Sequence, residues 1–92
     1  MVSVCFASAL RSVARGQAEV DLPGFEGDLR GLLQALSHQV GPALGERLLE
    51  QGRIRRFVNV YVDGLDVRFS GGLETPVPKG ATVDFIPAVA GG

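Results

Sequence analysis

Phe57-Val58-Asn59-Val60-Tyr61-Val62 is the stretch that leaves this chain least conformational choice. Apart from Asn59 its residues are β-branched or aromatic and it holds no glycine or proline, so it reads as a strand. Asp63-Gly64 follows directly, a pair suited to the positive φ angles of a tight hairpin, and the return strand is predicted over about Leu65 to Phe69. Because side chains alternate along a strand, polar Asn59 assigns Phe57 and Tyr61 to the outer side and Val58, Val60 and Val62 to the core. Thr82 to Ile86 is a further strand, stopped by Pro87, which has no amide hydrogen to give a ladder. Asp84 marks Thr82 and Ile86 as its outer side. If the two strands are neighbours, Phe57, Tyr61 and Ile86 form an apolar patch, either bare for a partner or covered by a loop.

The first half supplies three more elements. Val2, Val4 and Phe6 alternate with Ser3, Cys5 and Ala7, and Ala18, Val20 and Leu22 alternate with Glu19 and Asp21 before Pro23-Gly24. Together these read as an N-terminal hairpin turning near Arg15-Gly16, its register left open by the long segment Ser8 to Ala14. Asp28 is placed to cap a helix on which Leu29, Leu32, Leu33, Leu36 and Val40 share one face, with His38 opposite and Gly41-Pro42 as the stop. Ala43 to Gln51 carries a weaker helical pattern and is expected to cover the open end of the core. Gly71-Gly72 and Pro76 to Gly80 read as irregular.

The last residues, Ala88-Val89-Ala90-Gly91-Gly92, carry no bulky polar side chain. Gly91 and Gly92 lack the Cβ atoms that would obstruct passage into a narrow channel. From Pro87 to Gly92 an extended chain reaches roughly 20 Å. The expected organisation is a folded domain over residues 1–87 and a flexible tail over 88–92.

Arg56 to Val62, then Asp66-Val67-Arg68-Phe69-Ser70-Gly71-Gly72-Leu73, then the Gly-Gly tail, resemble the MoaD/ThiS family of ubiquitin-like sulfur carriers. The similarity is greatest to the members used for cysteine synthesis in actinobacteria, and is loose before Gln51. The resemblance implies an α+β fold, the β-grasp: a mixed sheet in the order 2-1-5-3-4 around one main helix. It also implies that Gly92, with Gly91 before it, is adenylated and converted to a thiocarboxylate, while Val89 and Ala90 join Phe57, Tyr61 and Ile86 in partner contacts. The implied partners are an E1-like adenylating enzyme that uses ATP and magnesium, a pyridoxal-phosphate cysteine synthase or other sulfur acceptor, and a metalloprotease that releases cysteine. The alternatives are a ubiquitin-like modifier forming isopeptide bonds through Gly92, or a carrier serving molybdopterin, thiamine, methionine or a secondary metabolite.

Composition agrees with a carrier that borrows its chemistry. Ninety-two residues make one domain with a modest core. A net charge of −1, with both signs interspersed, argues against nucleic acid. Cys5 is the only cysteine, so no intrachain disulfide forms, which fits a reducing cytoplasm. Met1 to Ala9 is apolar and ends in Ala7-Ser8-Ala9, but no Lys or Arg precedes it and the run is short, which argues against a secretory signal; no stretch is long enough for a membrane span. No nucleophile elbow, phosphate loop or metal-ligand spacing is visible. The expectation is therefore no enzyme, no bound cofactor and no metal. Cys5 reads as a space-filling strand residue and His38 as solvated. Arg53, Arg55 and Arg56 read as either a solvated cluster or a rim contact to an acidic partner.

Overall fold

The computed structural model describes residues 1–87; the tail, with Val89, Ala90, Gly91 and Gly92, lies outside the described residues. Its sheet is built from Val2–Phe6 (β1), Glu19–Leu22 (β2), Val58–Val62 (β3), Leu65–Asp66 (β4) and Thr82–Pro87 (β5), in the order β2-β1-β5-β3-β4. β5 is central, parallel to β1 and antiparallel to β3. This is the ubiquitin-like β-grasp.

Leu29–Val40 (α1) packs on one face of that sheet. Asp28 Oδ1 accepts from the Gly31 amide at 2.8 Å, satisfying one of the first-turn donors that the helix leaves unpaired. Leu29, Leu32, Leu33, Leu36 and Val40 are all buried, as the helical period requires. From the sheet side Val58, Val60, Val62, Val83 and Phe85 enter the same core. Phe85 stacks on Phe6 with ring centroids 5.4 Å apart, so the central strand is keyed to β1 by an aromatic pair as well as by its ladder. Ala43–Leu48 (α2) covers one end of the core through Leu44 and Leu48.

The return from β3 differs from expectation. β4 is two residues long, and Val67–Phe69 is a 3-10 turn where a strand to Phe69 was predicted. The Asp66 carboxylate explains it by accepting the Arg68 amide at 2.9 Å, a local bond that competes with the ladder. The turn sends Val67 into the core and leaves Leu65 and Phe69 70% and 89% exposed. The hairpin itself is as predicted, with φ of 49° at Asp63 and 84° at Gly64.

Two other segments are more ordered than the sequence suggested. Ser8–Ala14 is a 3-10 segment that buries Leu10, Val13 and Ala14. In the region read as irregular, Gly72–Glu74 forms a 3-10 turn and Pro76–Val77 pairs with Gly27–Asp28. Buried Thr75 holds this region to α1: its carbonyl accepts from the Leu29 amide at 3.0 Å, and its hydroxyl reaches the Ser70 carbonyl at 3.1 Å. Arg55 belongs to neither of the predicted alternatives. Its guanidinium donates to the Glu46 carbonyl near the end of α2 at 2.9 and 3.1 Å and to Glu50 at 3.3 Å, which makes it a local staple.

Candidate functional site at the root of the tail

β5 delivers the chain to the start of the tail from the centre of the sheet, and β3 is what fixes its exit. The register pairs Val58 with Pro87, Asn59 with Ile86 and Tyr61 with Asp84. Hydrogen bonding on both sides of β5 holds its direction, so the tail begins from a rigid base. The Ala7 amide adds a bond to the Phe85 carbonyl at 3.0 Å.

Of the three aromatic and aliphatic residues expected on the outer face, Phe57 is 56% and Ile86 42% exposed, while Tyr61 is half-buried. Phe57 lies one residue before β3. Together with Pro87 it lines a cleft of about 760 Å³ at the end of the sheet, walled by Val13 and Ala43 and rimmed by Arg47 and Arg56. Ile86 lies on the sheet face beside Asn59. The apolar surface around the tail root therefore has a part on the face and a part at the end.

Arg68, unassigned from sequence, organises the β3 edge. Because β4 pairs only with Tyr61 and Val62, the carbonyls of Arg56 and Val58 would otherwise face open space. The Arg68 guanidinium takes both, at 3.2 and 2.9 Å, and also donates to Asn59 Oδ1 at 2.6 Å. Asp66 lies 3.8 Å from it. One side chain thus substitutes for the missing strand and holds Asn59 beside Ile86. No sequence period signals such a contact, since it depends on where β4 stops.

Cys5 pairs across the ladder with Glu19 on one side and Asp84 on the other. Partial burial, then the Asp84 and Glu19 carboxylates, push its thiol above the ordinary cysteine value. The folded state consequently holds this proton more tightly than the unfolded state, a contribution present below the ordinary thiol pKa and lost as pH rises through the raised one. Alkylation by iodoacetamide across pH should show an inflection above that of a free thiol, and Asp84→Asn should move it down. An inflection at or below the free-thiol value would contradict the carboxylate arrangement. His38 is exposed on α1. Among the described residues no group of three or more His, Cys, Asp or Glu is placed to hold a metal ion, and no helix is long and apolar enough to cross a membrane.

Comparison with known proteins agrees with this geometry. The ThiS family matches residues 6–92. The sulfur carrier protein CysO of Mycobacterium tuberculosis (strain H37Rv) is 39% identical over 94 residues, spanning 99% of this chain and 98% of that one. Among solved structures, the Amycolatopsis orientalis BexX/CysO complex contains a chain that superposes with a TM-score of 0.88 at 36% identity, each chain covered completely. The small archaeal modifier protein 1 of Methanosarcina acetivorans superposes at 0.78 with 28% identity, covering 99% of this chain and 95% of that one. A central parallel β5 leading to the tail and a family match reaching Gly92 make one conclusion of these findings: the chain belongs to the ThiS family, among the ubiquitin-like sulfur carriers.

Proposed function

We propose that this carrier works through a thiocarboxylate on Gly92 and that its sulfur goes to cysteine synthesis. The observation that carries the reading is the 39% identity to CysO along nearly the whole chain. A carboxylate is a poor electrophile, because its charge repels nucleophiles and oxide is a poor leaving group. Attack of a Gly92 carboxylate oxygen on the α-phosphorus of ATP expels pyrophosphate and leaves an acyl-adenylate. A sulfide-equivalent donor then attacks the carbonyl carbon, AMP departs, and a nucleophilic thiocarboxylate remains. ATP and magnesium belong to an E1-like activating enzyme. The carrier offers Gly91-Gly92, with Val89 and Ala90 behind them, and a docking surface at Phe57, Tyr61 and Ile86. In the cysteine pathway a pyridoxal-phosphate synthase accepts the sulfur, and a metalloprotease releases the product from Gly92.

The chain incubated with an activating enzyme, ATP and a sulfur donor should exchange one oxygen for one sulfur by intact mass. Subsequent addition of a cysteine synthase with phosphoserine should give a Gly92-cysteine adduct. Thiolation of a different small molecule would move the acceptor to a sister pathway, and isopeptide bonds to lysines of other proteins would favour the modifier reading. No mass change at Gly92 would refute the activation itself.

Ile86→Asp places a charge on the exposed apolar face beside the tail root. It should weaken binding to the activating enzyme by about 2 kcal/mol, as loss of an interface hot spot does. Its unfolding midpoint should change little, because Ile86 is 42% exposed. Unchanged binding with a large loss of stability would mean that the docking surface lies elsewhere.

A further inference from the structure

We propose that the depression between the start of α1, the Arg53–Ile54 segment and the Gly72–Glu74 turn is a binding site for a multiply charged oxyanion of the phosphate class. Three arginines, Arg30, Arg53 and Arg68, line this hollow of about 320 Å³ together with Gly71 and Gly72. Glu74 is the one carboxylate in its lining. The larger cleft beside Pro87 is balanced differently, with Glu46 and Glu50 set against its arginines.

The positive charge of the hollow is incompletely neutralised by the protein. Among the described residues the ion pairs are Arg55 with Glu50 and Arg68 with Asp66, which leaves Arg30 and Arg53 without a carboxylate partner. Arg30 is the second residue of α1, whose first turn contains no acidic side chain. The helix macrodipole is positive there, and the capping Asp28 carboxylate offsets part of it, so the excess charge of the hollow comes from its arginine side chains. Arg68 commits both terminal nitrogens to the β3 carbonyls and Asn59, so it adds positive charge to the lining while Arg30 and Arg53 carry the free guanidiniums. The two unpaired guanidiniums of Arg30 and Arg53 on one hollow suit a group with more than one negative oxygen, since planar forks can engage separate oxygens of a tetrahedral anion. A singly charged halide offers no such geometry.

Titration of the isotope-labelled full chain with pyrophosphate, and separately with inorganic phosphate, tests the site by amide NMR against chloride at matched ionic strength. Saturable shifts are expected at Gly52, Gly71 and Gly72. Arg30→Gln and Arg53→Gln should each weaken binding by roughly fivefold, the upper end for an exposed ion pair. Glu74→Gln should tighten it. All three variants change exposed side chains, and Arg68 is left intact because it holds the β3 edge. Shifts that stay linear and match those with chloride overturn the proposal. So does pyrophosphate affinity that is the same in the Arg30→Gln/Arg53→Gln double variant.

Discussion

Phe85→Ala should lower the free energy of unfolding by about 3–5 kcal/mol, the usual cost of truncating a fully buried phenylalanine. For a domain of this size that is a large fraction of the whole stability, which is commonly about 5–15 kcal/mol. Three features place the substitution at the upper end. Phe85 is 1% exposed, it stacks on Phe6, and it belongs to the strand through which every other strand of the main sheet is joined. Urea unfolding followed by circular dichroism measures the loss. A double-mutant cycle with Phe6→Ala should return a coupling of about 0.5–1.5 kcal/mol for the ring pair itself. Loss of less than about 1 kcal/mol would show that the core closes around the gap, and that the stack is not a principal support of β5.

Deleting Gly92, or adding one residue after it, should abolish ATP-dependent activation while leaving the unfolding midpoint unchanged. The carboxylate is the reacting group in the proposed mechanism, and its displacement by one residue, roughly 3.5 Å of extended chain, removes it from attack distance of the ATP phosphate. Among the described residues the hydrophobic core lies entirely between Val2 and Phe85, so the unfolding midpoint serves as the internal control. Conversion of the extended chain to the thiocarboxylate at the wild-type rate, with its added residue still present by intact mass, would sink the mechanism.

The parts of the fold that could be read in advance are those whose signal is local. Val58, Val60 and Val62 declare a strand by alternation, Leu29 to Val40 a helix by its period, and Asp63-Gly64 a turn by its tolerance of positive φ. The sheet order came with the family resemblance, since nothing in the spacing of five short strands chooses their neighbours. What stayed hidden depends on competition between local and distant partners. Asp66 captures its own downstream amide and ends β4 early; that leaves carbonyls exposed on β3, and Arg68 then becomes the side chain that covers them. Arg55, which reads as one of three adjacent surface charges, binds the Glu46 carbonyl nine residues back for a related reason: a short helix ends there with acceptors to satisfy. Phe57 is exposed, as its place on the outer side predicts, but it precedes β3 and lines the cleft beside Pro87, which alternation along the strand does not signal.

The position of β5 has a consequence for how the protein is made. The β1–β2 pair and the β3–β4 hairpin share no ladder of their own, since both are joined through residues 82–87. The strand that unites the two halves is the last strand of the sheet to be made, so the native sheet cannot form until residues 82–87 have emerged from the ribosome. Nascent chains cut short before Thr82 are left as two unsupported hairpins, and an isolated hairpin is marginal in water. Such fragments are substrates for cellular proteases, which act on unfolded chains. Folding is thus conditional on the strand that leads to the tail: a molecule that has formed its sheet has already acquired residues 82–87.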